Sequence, residues 1–114
     1  MADGGSDALT SEDAKLLTLA RAARAYAGTT EGAAVRDDIG RTYSAASVGL
    51  PSLQLTALQA AVAAAVSSGV SRLEAAVIHT SVTELSPVDQ AVVHDLSPMT
   101  VLLAAADGAV TVVR

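Results

Sequence analysis

Apolar positions recur at helical spacing between Ser11 and Ala27, where Leu16, Leu17, Leu19, Ala20, Ala23 and Ala27 form one stripe. Thr10 stands where an N-cap belongs, with Asp13 three residues on, and Gly28 stands where such a helix ends. The spacing then changes. Residues 32–36 run into the acidic turn Asp37-Asp38-Ile39-Gly40, and residues 41–46 run out of it, which predicts antiparallel strands around a solvated turn. Gly49 and Pro51 interrupt the chain before a second helix, expected over Leu53 to Ser68. Its residues Leu53, Leu55, Leu58, Ala61, Val62, Ala65 and Val66 leave it almost without a polar face, which predicts burial on both sides. Residues 73–80 read as a strand. Ser86-Pro87 opens a third helix, with serine as N-cap and proline in the first turn, running to Asp95 or Leu96 before Pro98. Two last strand-like runs, 100–105 and 109–113, flank Ala106-Asp107-Gly108, a strong hairpin signal.

The predicted order is helix, strand, strand, helix, strand, helix, strand, strand, in one domain over residues 10–114. Residues 1–9 have little to bury and are expected to form a disordered leader.

Composition narrows the function classes. There are 114 residues and 51% are hydrophobic, enough for a folded domain. Much of that share is alanine, so the core is expected to be thin. Burial gained by self-association makes a homo-oligomer, dimer or tetramer, the expected state. Cysteine is absent, which removes disulfides, thiol chemistry and cysteine-ligated metals. A net charge of -5 with no basic cluster argues against nucleic acid, and 2% aromatics argue against base stacking. No apolar run is long enough for a membrane span, and the acidic start is unlike a signal peptide, so the expected location is the cytoplasm.

The element order, loop lengths and small-residue pattern over residues 11–113 resemble the cytidine deaminase-like family. Glu31-Gly32-Ala33-Ala34-Val35 sits at that family's V-G-A-A-type strand, and residues 49–65 resemble its buried helix with lead-in. The resemblance implies a three-layer α/β sandwich, a mixed five-stranded sheet with helices on both faces. It also implies a zinc held by a His or Cys on the buried helix and two Cys of a P-C-x-x-C segment, with a Glu as proton shuttle. Here the first ligand position falls on Thr56 and the shuttle on Leu58. The second motif falls on residues 87–91, where Pro87 matches and the ligand positions become Val88 and Ala91. The family's N-V-E-N-type ribose segment falls near residues 45–48, where Ser47 offers a hydroxyl and no carboxylate. The chain is thus similar to the small actinobacterial homologues that lack zinc-binding and catalytic residues. No catalytic residue and no cofactor is expected.

Single residues add candidates. Ser47, Thr56 and His79 could line a residual pocket, His79 because it ends the predicted third strand. Thr56, Gln54 and Gln59 interrupt an apolar helix and must find hydrogen bonds. His94 and Asp89 do not stack on one helix face, so they make a poor metal pair. Three functions follow: a zinc-less oligomeric scaffold or protein-binding module, a deaminase with unusual ligands, and a nucleoside sensor. A rival fold, the roadblock-type dimerisation module, shares the first elements but lacks the helix that Ser86-Pro87 announces.

Overall fold

The structure is a computed structural model and describes residues 9–114. Ten elements follow in order: α1 (Ser11–Ala27), β1 (Gly32–Asp37), β2 (Thr42–Ala46), β3 (Val48–Leu50), β4 (Leu53–Leu55), α2 (Ala57–Ser67), β5 (Leu73–His79), α3 (Pro87–Leu96), β6 (Thr100–Ala104) and β7 (Val110–Val112). Five strands form one sheet in the order β2-β1-β5-β6-β7. Only β5 and β6 are parallel, because α3 carries the chain between them; every other neighbouring pair is antiparallel. The predicted leader lies outside the described residues except for Leu9, which packs beside α1.

Strand alternation divides the core into two layers. Ala34, Ala75, Val77, Leu102 and Ala104 face Leu16, Leu17 and Ala20 of α1. The intervening residues Ala33, Val35, Ala76, Ile78, Val101 and Leu103 face α2 and Val93 of α3. Helices therefore cover both faces, as in the expected sandwich. Small residues allow the close approach. A Cβ on Gly32 would stand 2.0 Å from the Ala20 carbonyl oxygen, so only glycine fits where α1 crosses β1. Thr10 caps α1 by accepting the Asp13 amide at 3.1 Å, and Gly28 ends it at φ 69°. The presence of α3, capped by Ser86 as predicted, removes the roadblock-type rival.

Expectations are corrected at two places, the second helix and the Asp37 turn. The second helix begins at Ala57, not Leu53. Leu53-Gln54-Leu55 instead pairs with Val48-Gly49-Leu50 across Pro51-Ser52, a short hairpin outside the main sheet. Thr56 sets the boundary through a full capping box: its hydroxyl accepts the Gln59 amide, and the Gln59 side chain accepts the Thr56 amide, each at 3.0 Å. Nor is α2 buried all round. Ala63, Ala64 and Val66 are exposed, so one side is apolar and solvent-facing.

The Asp37 turn is the second correction. Asp37 is 1% exposed rather than solvated. Its carboxylate accepts from the Ile39 and Arg41 amides and from Arg41 Nε at 2.6 Å, closing the β1–β2 turn from inside. Next to it, Arg36 is held by Glu74 at 2.6 Å and Asp13 at 3.1 Å, tying β1 to β5 and α1.

Candidate functional site

The opposite end of the sheet carries the cavities. Here β1 begins and β5 finishes, with Gly32 paired to His79. Thr80, just past β5, is fixed by its amide on the Ala104 carbonyl at 2.9 Å. Its hydroxyl donates to Glu31 Oε2 at 2.8 Å. From the helix side, the Thr56 hydroxyl donates to Asp89 Oδ1 at 2.6 Å, joining the first residue before α2 to the first turn of α3. Thr56 thus serves as cap and as bridge: it accepts from Gln59 and donates to Asp89.

These groups line a cavity of about 450 Å³. Its walls include Ile78, Val82, Leu85 and Leu103, and its polar groups are Glu31, Thr56, Thr80, Glu84, Ser86 and Asp89. Among the described residues, no lysine, arginine or histidine lines it. Burial pushes the Asp89 carboxyl above the usual carboxylate range; the Thr56 hydroxyl opposes the shift and the nearby Glu31 adds to it. A second, wider cavity of about 500 Å³ shares Glu31 and Thr56 and extends past Ser47, the β3–β4 hairpin and Val88.

The sequence candidates fall in different places. Thr56 lines both cavities, and Ser47 lines the second. His79 lines neither. Alternation places it on the α1 side of the sheet, opposite Ile78 and Thr80, where it is 7% exposed and its Nδ1 lies 3.0 Å from the Ala104 carbonyl. The trio Ser47, Thr56 and His79 is therefore not one pocket. Glu31 was not singled out as a site residue, although a carboxylate stood at the head of an apolar strand. Asp89 had been considered only as a partner for the exposed His94.

The family pattern described as cytidine deaminase-like matches residues 9–109. The chain belongs to the cytidine deaminase-like family. A search of curated protein sequences finds no match. Among solved structures, a cytidine deaminase from Burkholderia pseudomallei superposes with TM-score 0.77 at 22% identity, covering 87% of this chain and 89% of that one. A cytidine deaminase from Mycobacterium leprae superposes with TM-score 0.63, also at 22% identity, covering 87% and 91%. At such identity the likeness establishes the fold.

At the positions that the resemblance gives to zinc, the residues do not fit the metal. Thr56 is a hydroxyl already committed to two hydrogen bonds. Val88 and Ala91 carry no donor atom, and both are exposed. Leu58, at the proton-shuttle position, is 1% exposed and belongs to the core under α2. Among the described residues, no group of three His, Cys, Asp or Glu is placed to hold a metal ion. What the site can do with its own groups is accept hydrogen bonds and positive charge beside an apolar wall.

Proposed function

We propose that this chain is a binding member of the cytidine deaminase-like family that does not deaminate, acting in the cytoplasm as a self-associating, protein-binding module. The observation that carries the reading is the Thr56–Asp89 hydrogen bond. At the position where the family places its first zinc ligand, a hydroxyl instead closes one helix start onto the next. Self-association is supported by exposed apolar side chains, among them Val66 on α2, Leu50 and Leu53 on the β3–β4 hairpin, and Val88 on α3. The cytoplasmic setting is supported by the lack, among the described residues, of a helix long and apolar enough to cross a membrane.

A second reading, a small-molecule sensor, is favoured by the cavity of about 450 Å³, a size suited to a small ligand. Both readings predict negligible zinc by elemental mass spectrometry of the untagged protein and no ammonia release from cytidine. About one zinc per chain with turnover would overturn both. Light scattering on the same sample should give a multiple of the 11.3 kDa chain mass. A monomer across the working concentration range would remove self-association.

A further inference from the structure

Among the described residues, the buried carboxylates away from the cavity are matched to counter-charge. Asp13 and Asp37, both buried, each meet an arginine. In the cavity the buried Asp89 and the half-buried Glu31 share a lining with the exposed Glu84, and no basic side chain among the described residues lines it. The two helix starts beside it, capped by Thr56 and Ser86, supply together roughly one positive charge. That is not enough to balance the lining.

Asp89 supplies the second observation. It is 5% exposed, and only one of its oxygens, Oδ1, receives a hydrogen bond from a described residue. Oδ2 receives none. It is not sealed in either, since the one buried side-chain atom without a partner among the described residues is Arg36 Nη1. Oδ2 therefore keeps some solvent access, on a residue that lines the cavity, and has no donor among the described residues. Glu31, half-buried, has one oxygen spent on Thr80 and the other without a donor among the described residues. A largely buried carboxylate without a counter-charge is only partly satisfied by water, and a proton or a cation offsets the remaining cost.

We propose that the cavity binds a small primary amine, its ammonium between Asp89 and Glu31 and its apolar body against Ile78, Leu85 and Leu103. An ammonium brings three donors and one charge, which meets the two free oxygens and the residual negative balance. The walls fit a compact hydrocarbon and reject a second charge. The inference rests on the sensor reading of this same site.

The test uses the full chain and benzylamine as the probe, with benzyl alcohol as its near-isosteric neutral control. Backbone amide resonances followed by NMR should move at Thr56, Thr80 and Asp89 on adding benzylamine. The alcohol should bind about tenfold more weakly or less, the scale of one charge-assisted hydrogen bond. Glu31→Gln should weaken the amine by a similar factor and leave the alcohol unchanged; Asp89→Asn is the second variant should Glu31→Gln fold poorly. Equal affinity for amine and alcohol would overturn the ammonium site and leave an apolar pocket. No shifts with either would overturn the cavity as a ligand site. Neither result touches the non-deaminating reading, which zinc content and ammonia release decide separately.

Discussion

Where β1 finishes, the buried carboxylates Asp13 and Asp37 each meet a guanidinium; where β1 begins, Asp89 and Glu31 meet only hydroxyls. The same sheet thus carries two kinds of polar end. At the far end Arg36 spans α1, β1 and β5, and Arg41 closes the turn, so charge serves as mortar between elements. At the near end the contacts between elements are neutral donors on carboxylates, and charge is left facing a cavity. A fold under selection for stability alone has no reason to place carboxylates together without a cation, since desolvation is costly and hydroxyls return little. The contrast is what the proposed binding role of the near end rests on.

The comparison breaks first at Arg36. Arg36→Met should lower stability by about 3 kcal/mol in urea unfolding, because Asp13 then stays buried with no counter-charge. A loss below about 1 kcal/mol would mean that the far end is held by packing and not by its ions. Thr56→Ala comes next, at about 1–2 kcal/mol, since it removes both the cap of α2 and the bridge to α3. Thr56→Ser should recover most of that. If the alanine variant cost nothing, the neutral bridge would be incidental. Glu31→Gln should stay within about 0.5 kcal/mol, because an amide still accepts from Thr80 and the lost charge had no partner to lose. A cost as large as that of Arg36→Met would show that the near-end carboxylates are structural after all.

How much of this was legible depends on the range of the interactions. The helices, the two hairpins of the main sheet and the caps at Thr10 and Ser86 follow from neighbours in sequence, so the chain itself announces them. Strand β4 reads as the start of a helix because Leu53-Gln54-Leu55 is short and apolar, and three residues do not separate the two periods. The boundary signal was nonetheless present, in the Thr56 and Gln59 spacing. His79 was placed at the correct strand end. Its face, however, depends on a parity of one residue, and that parity sent it to the α1 side. The cavity was not legible, because it rests on contacts between distant residues: Thr56 with Asp89 and Glu31 with Thr80. The family resemblance leads to Thr56, which lines both cavities. It directed attention to missing ligands and away from the two carboxylates that are there.

The smallest effect separates the two ends by the sign of their pH dependence. Burial alone would raise the pKa of Asp37, but the side chain and amide of Arg41 and the amide of Ile39 hold it below the usual carboxylate range. At Asp89 burial dominates, Glu31 adds to it, and the Thr56 hydroxyl does not offset them, so its pKa is raised. In the acid range the unfolded chain binds the proton more tightly than folded Asp37 does. Asp37 therefore adds stability above about pH 4 that is lost as pH falls through its lowered folded pKa. For Asp89 the folded state holds the proton longer. Its contribution therefore declines as pH rises from about 4 through its raised folded pKa. Melting temperatures of the wild type and both asparagine variants between about pH 3 and pH 8 test this. The deficit of Asp37→Asn should grow with pH, whereas Asp89→Asn should gain on the wild type as pH rises. Differences from the wild type that drift in the same direction for both variants would erase the distinction between a paired end and an unpaired one. Opposite drifts would fix Asp89 as the group whose ionisation the fold tolerates rather than rewards.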